Sequence, residues 1–403
     1  MVSARMASIQ ESTTLKISAM AKKLAAAGQD IIDMSVGEPD FDTPKYIVEA
    51  GCNSIRMGET HYAPTGGIPE LRRHIAEKLA HENSLRLTAD DVFVTPGAKM
   101  AVFAAIQALM QEGDECVLIG PSWVSYEPCV AFAGGKVSWG RVDENFQPGD
   151  LEENINSRTR LIIVNSPSNP TGSVFDRMVL KEIRDLAVDH NLFVISDEIY
   201  EKIIYDHQHI SIGSLEGMAE RTVTINGFSK SYAMTGWRLG YLAGPKETMM
   251  WVNRLLSHSV SQATTFVQRA GVAALQGPQD EVTAMVAEFR ARRDMLVSGL
   301  RELGIPCSIP GGAFYVFPDV SHLGGGDAFT DRLLKEALIA ATPGSAFGPD
   351  GKNYVRRSYA ATQSRIAQAL ERIGRIVNSW IIIFFSYFII DYFIMKLGKM
   401  PLL

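Results

Sequence analysis

The residues with the most chemistry in this chain centre on Lys230. It stands in Gly227-Phe-Ser-Lys-Ser-Tyr-Ala-Met-Thr-Gly-Trp-Arg-Leu-Gly240, between two short apolar runs at 222–225 and 239–243. A lysine placed between two strands, flanked by glycine, serine and threonine instead of other charges, is drawn partly out of water. Lost hydration disfavours the ammonium form, lowers the pKa and leaves a nucleophilic amine. Arg238 follows eight residues later, and its planar fork of donors suits a phosphate. Asn169, Asp197 and Tyr200 each end or follow another apolar run, so the five side chains can converge on one edge of a sheet.

Together they describe a ligand. An aspartate kept ionised beside a heteroaromatic nitrogen holds that nitrogen protonated, and tyrosine and asparagine can donate to a phenolate oxygen. A lysine condenses with an aldehyde, and an arginine beside a helix N-terminus binds a phosphate. A pyridinium, a phenolate, an aldehyde and a phosphate on one molecule make pyridoxal 5′-phosphate. Trp123, just past a further strand-like run, can stack on a flat ring or serve as a core residue.

The elements that must place these residues follow from periodicity. An amphipathic pattern within 10–30 predicts a first helix that stops at Gly28, and 31–36 reads as a short strand before the turn-rich Gly37-Glu-Pro-Asp-Phe-Asp-Thr-Pro44. His61-Tyr-Ala-Pro-Thr-Gly-Gly67 is a structured loop in which Tyr62 is a candidate to bond an anion, and a helix follows from Pro69 to about His81. From residue 90 onward, apolar runs at 91–95, 116–119, 161–164, 193–196 and 223–225 alternate with helical stretches. Such alternation implies a parallel sheet covered on both faces, with ligands at the carboxyl ends of the strands. The turn Pro96-Gly-Ala-Lys99 opens one helix and presents free backbone N–H groups. A long helix from 278 to about 303 bridges into a smaller α+β unit with strands at 311–317 and 354–359 and a closing helix at 363–376.

Composition bounds the function. The chain has 403 residues, 46% hydrophobic and 21% charged, as expected for a two-domain globular protein. A net charge of −6 disfavours a nucleic-acid partner. The four cysteines (Cys52, Cys116, Cys129, Cys307) have no metal-ligand spacing and read as reduced thiols of a cytoplasmic protein, and no metal site is expected. The N-terminus carries no signal-peptide core. Neither GxGxxG nor GxxxxGK[ST] occurs, which disfavours a Rossmann or P-loop nucleotide site. Residues 379–403 are anomalous: the run from Trp380 to Met395 is almost wholly Ile, Phe and Tyr, interrupted by Asp391. It is short for a membrane span and carries a charge near its middle. A tail anchor, a packed segment and an extension foreign to the ancestral domain compete, and the last is favoured.

With these motifs in view, the sequence resembles the class I/II aminotransferases of PLP fold type I, in the branch typified by aspartate aminotransferase. The resemblance covers roughly residues 1–377. It is carried by Gly227–Gly240, Asn165–Gly172, Ser196–Tyr200, the Val-Gly-Glu-Pro-Asp-Phe-Asp-Thr-Pro stretch and Gly344-Ser-Ala-Phe-Gly348. It implies an α/β fold: a large PLP-binding domain at 45–280 with a mostly parallel sheet, and a smaller α+β domain at 281–378 joined by the N-terminal segment 1–44. It implies Lys230 as the Schiff-base lysine and proton shuttle, Asp197 as partner of the pyridine nitrogen, Tyr200 and Asn169 at the phenolate oxygen, and Trp123 stacked on the ring. Arg238 and the backbone of Ala98 and Lys99 would bind the phosphate. Tyr62 would reach the phosphate of a neighbouring subunit, making a homodimer with shared sites. Arg356 matches the arginine that grips the substrate α-carboxylate, with Gly37, Trp123 and Asn169 adding contacts. Arg357 is its rival, but strand neighbours face opposite sides and only one can enter the site.

The resemblance further implies ping-pong transamination between an L-amino acid, aspartate first, and 2-oxoglutarate. Aromatic amino acids, alanine or prephenate are the alternative substrates, and a PLP-binding regulator without turnover is a remote third reading. No residue in the sequence identifies the partner of a distal carboxylate. Three features depart from the family pattern before the tail: Gly227 where some relatives carry a phosphate-binding serine, Arg357 at a usually apolar position, and a short stretch between Asp319 and Pro343.

Overall fold

The computed structural model describes residues 11–378 together with Met6 and Ile9. The hydrophobic run at 379–403 lies outside the described residues. Helix α1 (Thr13–Ala26), strand β1 (Ile32–Asp33) and helices α2 (Lys45–Arg56) and α3 (Pro69–Glu82) come first. Then follow β2 (Val92–Thr95), α4 (Ala98–Leu109), β3 (Glu115–Ile119), α5 (Tyr126–Phe132) and β4 (Lys136–Gly140). Strands β5 (Thr159–Asn165), β6 (Phe193–Asp197), β7 (Thr222–Gly227) and β8 (Gly240–Ala243) complete the central layer, with α6 (Arg177–Asp189) between β5 and β6.

These strands form a seven-stranded sheet of order β2-β8-β7-β6-β5-β3-β4. The α/β class expected from the sequence is what the structure shows. Alternate residues explain the double cover. Leu161 and Ile163 of β5 pack with Val102 and Ile106 of α4, whereas Ile162 and Val164 pack on the opposite face with Leu180 and Ile183 of α6. Strands β3 to β7 are parallel, and β8 runs antiparallel to both β2 and β7. The link between β7 and β8 carries Lys230 and contains no helix to cross over the sheet, and the two strands pair antiparallel.

Helices α7 (Lys246–Ser259), α8 (Thr265–Gln276) and α9 (Asp280–Glu302) lead to the second unit. It holds β9 (Tyr315–Val316), α10 (Gly326–Ala337), β10 (Ile339–Ala340), β11 (Thr342–Pro343), β12 (Val355–Ser358) and a last helix over 363–378. Strand β1 pairs in parallel with β10, so the N-terminal segment lies against this unit. Two strands are shorter than the sequence suggests. Asp33 Oδ1 accepts from the Ser35 amide at 2.9 Å and hydroxyl at 2.6 Å, which bends the chain out of 31–36 after two residues. Ala313 sits at φ 54, so the extended run begins only at Tyr315.

The short strand β12 separates the two arginines as the pleat requires. Arg356 faces the cavity described below, and Arg357 is fully buried in the core of the second unit, near Phe329 and Cys307. None of the three guanidinium nitrogens of Arg357 has a hydrogen-bond partner among the described residues, and burial pushes its pKa down to about 10. A buried cation without an acceptor destabilises the fold. Arg357→Met, which keeps the stem and removes the charge, should therefore stabilise the protein by about 1–4 kcal/mol, seen as a higher midpoint in thermal and urea unfolding. An unchanged or lower midpoint would show that the guanidinium finds acceptors in solution.

Candidate functional site

Parallel register brings the carboxyl ends of β5, β6 and β7 to one edge: Asn165 pairs with Asp197, and Asp197 with Ile225. A cavity of about 290 Å³ opens there. Of the residues singled out in the sequence, Gly37, Ala98, Lys99, Trp123, Asn169, Asp197, Tyr200, Lys230, Arg238 and Arg356 all line it. Tyr62 does not; its side chain is 92% exposed on the surface.

Lys230 Nζ donates to the Gly37 carbonyl and lies 6.0 Å above the Phe314 ring. Burial, opposed by Glu38 and reinforced by the cations Arg238 and Arg356, brings its pKa down to about 8. A substantial fraction is thus neutral amine near physiological pH. Asp197 is buried, and burial pushes its carboxyl up to about 6 against the donors Tyr126 Oη (2.7 Å) and the Ile199 amide (3.2 Å). Because this folded pKa lies above the unfolded one, the ionised form costs stability as pH rises through about 6. No lysine or arginine pairs with Asp197 among the described residues.

Backbone geometry builds an anion cradle beside them. Gly97 precedes α4 at φ 82, and a Cβ there would lie 2.5 Å from Arg238 Nη2. A Cβ on Gly240 would lie 2.4 Å from the Ala98 amide nitrogen. Both glycines are needed so that β8 and the Arg238 guanidinium can press against the free N–H groups of the helix. Gly227 has the same character: a Cβ would meet Gly240 Cα and Leu239 O at 3.0 Å each, so a serine there would force the strands apart. Ser229 lines the cavity nearby and offers a hydroxyl.

At another wall, Arg356 donates to Asn169 Oδ1 (3.0 Å) and the Ser35 carbonyl (2.5 Å), and its Nε is buried without a partner. The rings of Tyr315 and Phe347 lie 4.6 and 5.1 Å from the guanidinium. It pairs with no carboxylate of the chain among the described residues.

Three contributors escaped sequence reasoning. Tyr126 donates to Asp197, and Trp123 meets its ring edge-on at 5.2 Å. Tyr315 shares a 2.8 Å hydrogen bond with Tyr200, so the pair forms a hydroxyl chain toward the cavity. The Lys99 side chain, with Nζ 5.2 Å from the Trp123 ring, also enters the cavity and pairs with no carboxylate among the described residues. Burial lowers its pKa. The spacing of Tyr126 three residues after Trp123 was a usable signal, whereas Tyr315 comes from the distant second unit.

A family model described as aminotransferase class I and II matches residues 29–373. A probable aspartate aminotransferase of Methanocaldococcus jannaschii is 44% identical over 90% of this chain and 97% of that protein. An aspartate/prephenate aminotransferase of Thermus thermophilus is 40% identical over 94% and 99%. Among solved structures, the aspartate aminotransferase from Thermus thermophilus with maleate superposes with a TM-score of 0.90 at 40% identity, covering 93% of this chain and 99% of that one. An aromatic aminotransferase from Pyrococcus horikoshii superposes with a TM-score of 0.85 at 40% identity, covering 89% and 99%.

The electrostatics of the site are testable before any ligand is added. Tyr126→Phe removes the shorter of the two bonds to the Asp197 carboxylate and should raise that carboxyl's pKa further, by roughly one to two units. Carbon-13 NMR of labelled aspartate would read the shift. An unmoved titration would mean that Tyr126 does not govern this carboxylate.

Proposed function

The chain belongs to the class I and II aminotransferases, and from that premise we propose that it transfers the amino group of L-aspartate to 2-oxoglutarate with pyridoxal 5′-phosphate held in the cavity. The observation that carries this reading is a charge imbalance. Lys99, Lys230, Arg238 and Arg356 line one cavity without a carboxylate partner among the described residues, and Asp197 is the one carboxylate that lines it with them. Such a wall suits a ligand and substrate rich in phosphate and carboxylate groups.

The residues fit the cofactor on structural grounds. The cradle of Gly97, the α4 N-terminus and Arg238 suits the phosphate. No lysine or arginine pairs with the buried Asp197 carboxylate among the described residues, and a protonated ring nitrogen would supply that partner. Tyr200 and Asn169 would meet the ring oxygen, Trp123 the ring face and Lys230 the aldehyde carbon. When bound, the cofactor supplies an electron sink for the carbanion left by α-proton removal. The chain's own residues do the rest. Lys230, whose lowered pKa leaves part of its amine neutral, would take the proton from the substrate α-carbon and return it in the reverse half of the exchange. Asp197 would keep the ring nitrogen of a bound cofactor protonated. Arg356, steadied by Asn169 and Ser35, grips the α-carboxylate and fixes which bond faces the base.

The placement of Lys99 in the cavity supports it as the partner of a distal carboxylate. It is the cation left over once phosphate, α-carboxylate and aldehyde have their partners, and it favours a dicarboxylic substrate. Prephenate is a second reading, since Leu15 adds an apolar, 67% exposed side chain at the same cavity. The exposure of Tyr62 supports its reaching the phosphate of a second subunit in a homodimer. The four free cysteines suit the cytoplasm.

An absorption spectrum of the protein supplied with pyridoxal phosphate, before and after L-aspartate, tests the reading. A visible band that converts to the near-ultraviolet is expected, and Lys230→Ala should abolish both the covalent linkage and most turnover. No band, or undiminished turnover in that variant, would overturn it. Lys99→Met should raise KM for aspartate at least about tenfold, the worth of one charged contact, and leave that for alanine nearly unchanged. Equal losses for both substrates would remove Lys99 from side-chain recognition.

A further inference from the structure

Behind the site, facing away from the cavity, lies a buried polar cluster that the transfer chemistry does not use. The turn after β6 alternates its side chains: Asp197 and Tyr200 line the cavity, while Glu198 and Glu201 are buried at 1% and 8% exposure. Asn83, at the end of α3, donates to Glu198 Oε2 (2.9 Å) and Glu201 Oε2 (2.7 Å). Lys78 of α3 pairs with Glu201 and donates to Asn83 Oδ1 at 2.7 Å. From the loop beyond the turn, His209 Nε2 lies 3.0 Å and Ser211 Oγ 2.6 Å from Glu198 Oε2. Ser196 Oγ donates to Glu198 Oε1 at 2.9 Å.

The ligand atoms of Glu198, Glu201 and His209 lie within 4.8 Å of one another, close enough for a cation. The Lys78 ammonium already serves there. We propose that Lys78, Asn83, His209 and Ser211 are positioning residues for the reaction, clamping Glu198 and Glu201 so that the turn presents Asp197 and Tyr200 to the cavity. This rests on the roles assigned above to Asp197 and Tyr200.

The clamp is also a charge balance. With His209 as imidazolium, two cations offset two carboxylates; with neutral imidazole, one negative charge is left over beside Asp197. Burial alone would lower the His209 pKa, but the Glu198 carboxylate, then Glu201, outweigh it and raise it, with Lys78 opposing. The other groups packed on the cluster leave this balance unchanged. Tyr241 of β8 keeps its proton, its pKa raised well above the usual value by burial and by these carboxylates, and Glu82 pairs with Lys202 and Lys78 at the rim. The net charge behind Asp197 is therefore set by one imidazole.

Two measurements test this. In the cofactor-free protein, NMR should find the His209 imidazole titrating above the ordinary value of about 6.5. Its stabilising contribution is full below that value and is lost as pH rises through the folded pKa. In the protein loaded with pyridoxal phosphate, His209→Gln keeps a donor but drops the charge. It should move the pH midpoint of the visible band upward by roughly half a unit to one unit. Adding Glu198→Gln restores neutrality and should move the midpoint back. A residue of purely structural importance would lower the melting temperature and leave the midpoint in place. An imidazole titrating below the ordinary range, or an unshifted midpoint in a folded His209→Gln protein, overturns the proposal. Should the wild-type protein show no band at all, the cofactor reading falls, while the imidazole titration still decides the clamp.

Discussion

Asp197 carries its carboxylate at the end of β6, buried, with a tyrosine hydroxyl and one backbone amide as donors. An ionised carboxylate in that position is held against its own desolvation, and the two donors offset part of that cost. Tyr126 reaches it from α5, Asn165 ties its backbone to β5 with a 3.0 Å bond, and β7 brings the Lys230 amine to the same edge. The amine is destabilised in the complementary sense, since its charge is disfavoured by the same dry surroundings and by two arginines. Burial disfavours the charged form of both groups, the carboxylate of Asp197 and the ammonium of Lys230.

The aminotransferase fold supplies this arrangement through topology more than through any single contact. Parallel strands share a carboxyl edge by construction, so residues far apart in the chain meet without long side-chain reach. The antiparallel strand β8 then closes the sheet against β2, which sets Arg238 at the start of α4. The second unit contributes from above through Arg356, Phe314 and Tyr315. The cavity lining is thereby divided between two parts of the chain, with Arg356 and Tyr315 from one and most of the remaining residues from the other.

Much of this was legible in the sequence. The apolar runs at 161–164, 193–196 and 223–225 announced their strands, and the polar residues directly after them announced the site. Strand alternation separated Arg356 from Arg357 before any coordinates, and the structure puts them on opposite sides. What stayed hidden depended on direction and distance. Lys99 was read as a backbone donor because sequence shows which element a residue starts and not where its side chain then turns. Tyr315 and Tyr200 are 115 residues apart, and no local pattern announces a hydroxyl pair across that separation. The brevity of β1 and β9 came from one side-chain bond and one left-handed backbone angle, both invisible to periodicity.

The register of β2 against β8 has a bearing on how the molecule comes into being. Thr95 pairs with Gly240, partners separated by well over a hundred residues. The anion cradle exists only where these two strands meet, since Gly97 belongs to one side and Arg238 to the other. A chain emerging from the ribosome therefore presents Gly97 and α4 long before Arg238, which packs against them. Pairing of strands so distant along the chain is intrinsically slow. The paired geometry of Gly97 and Arg238 is thus assembled only once the greater part of the central sheet has been synthesised.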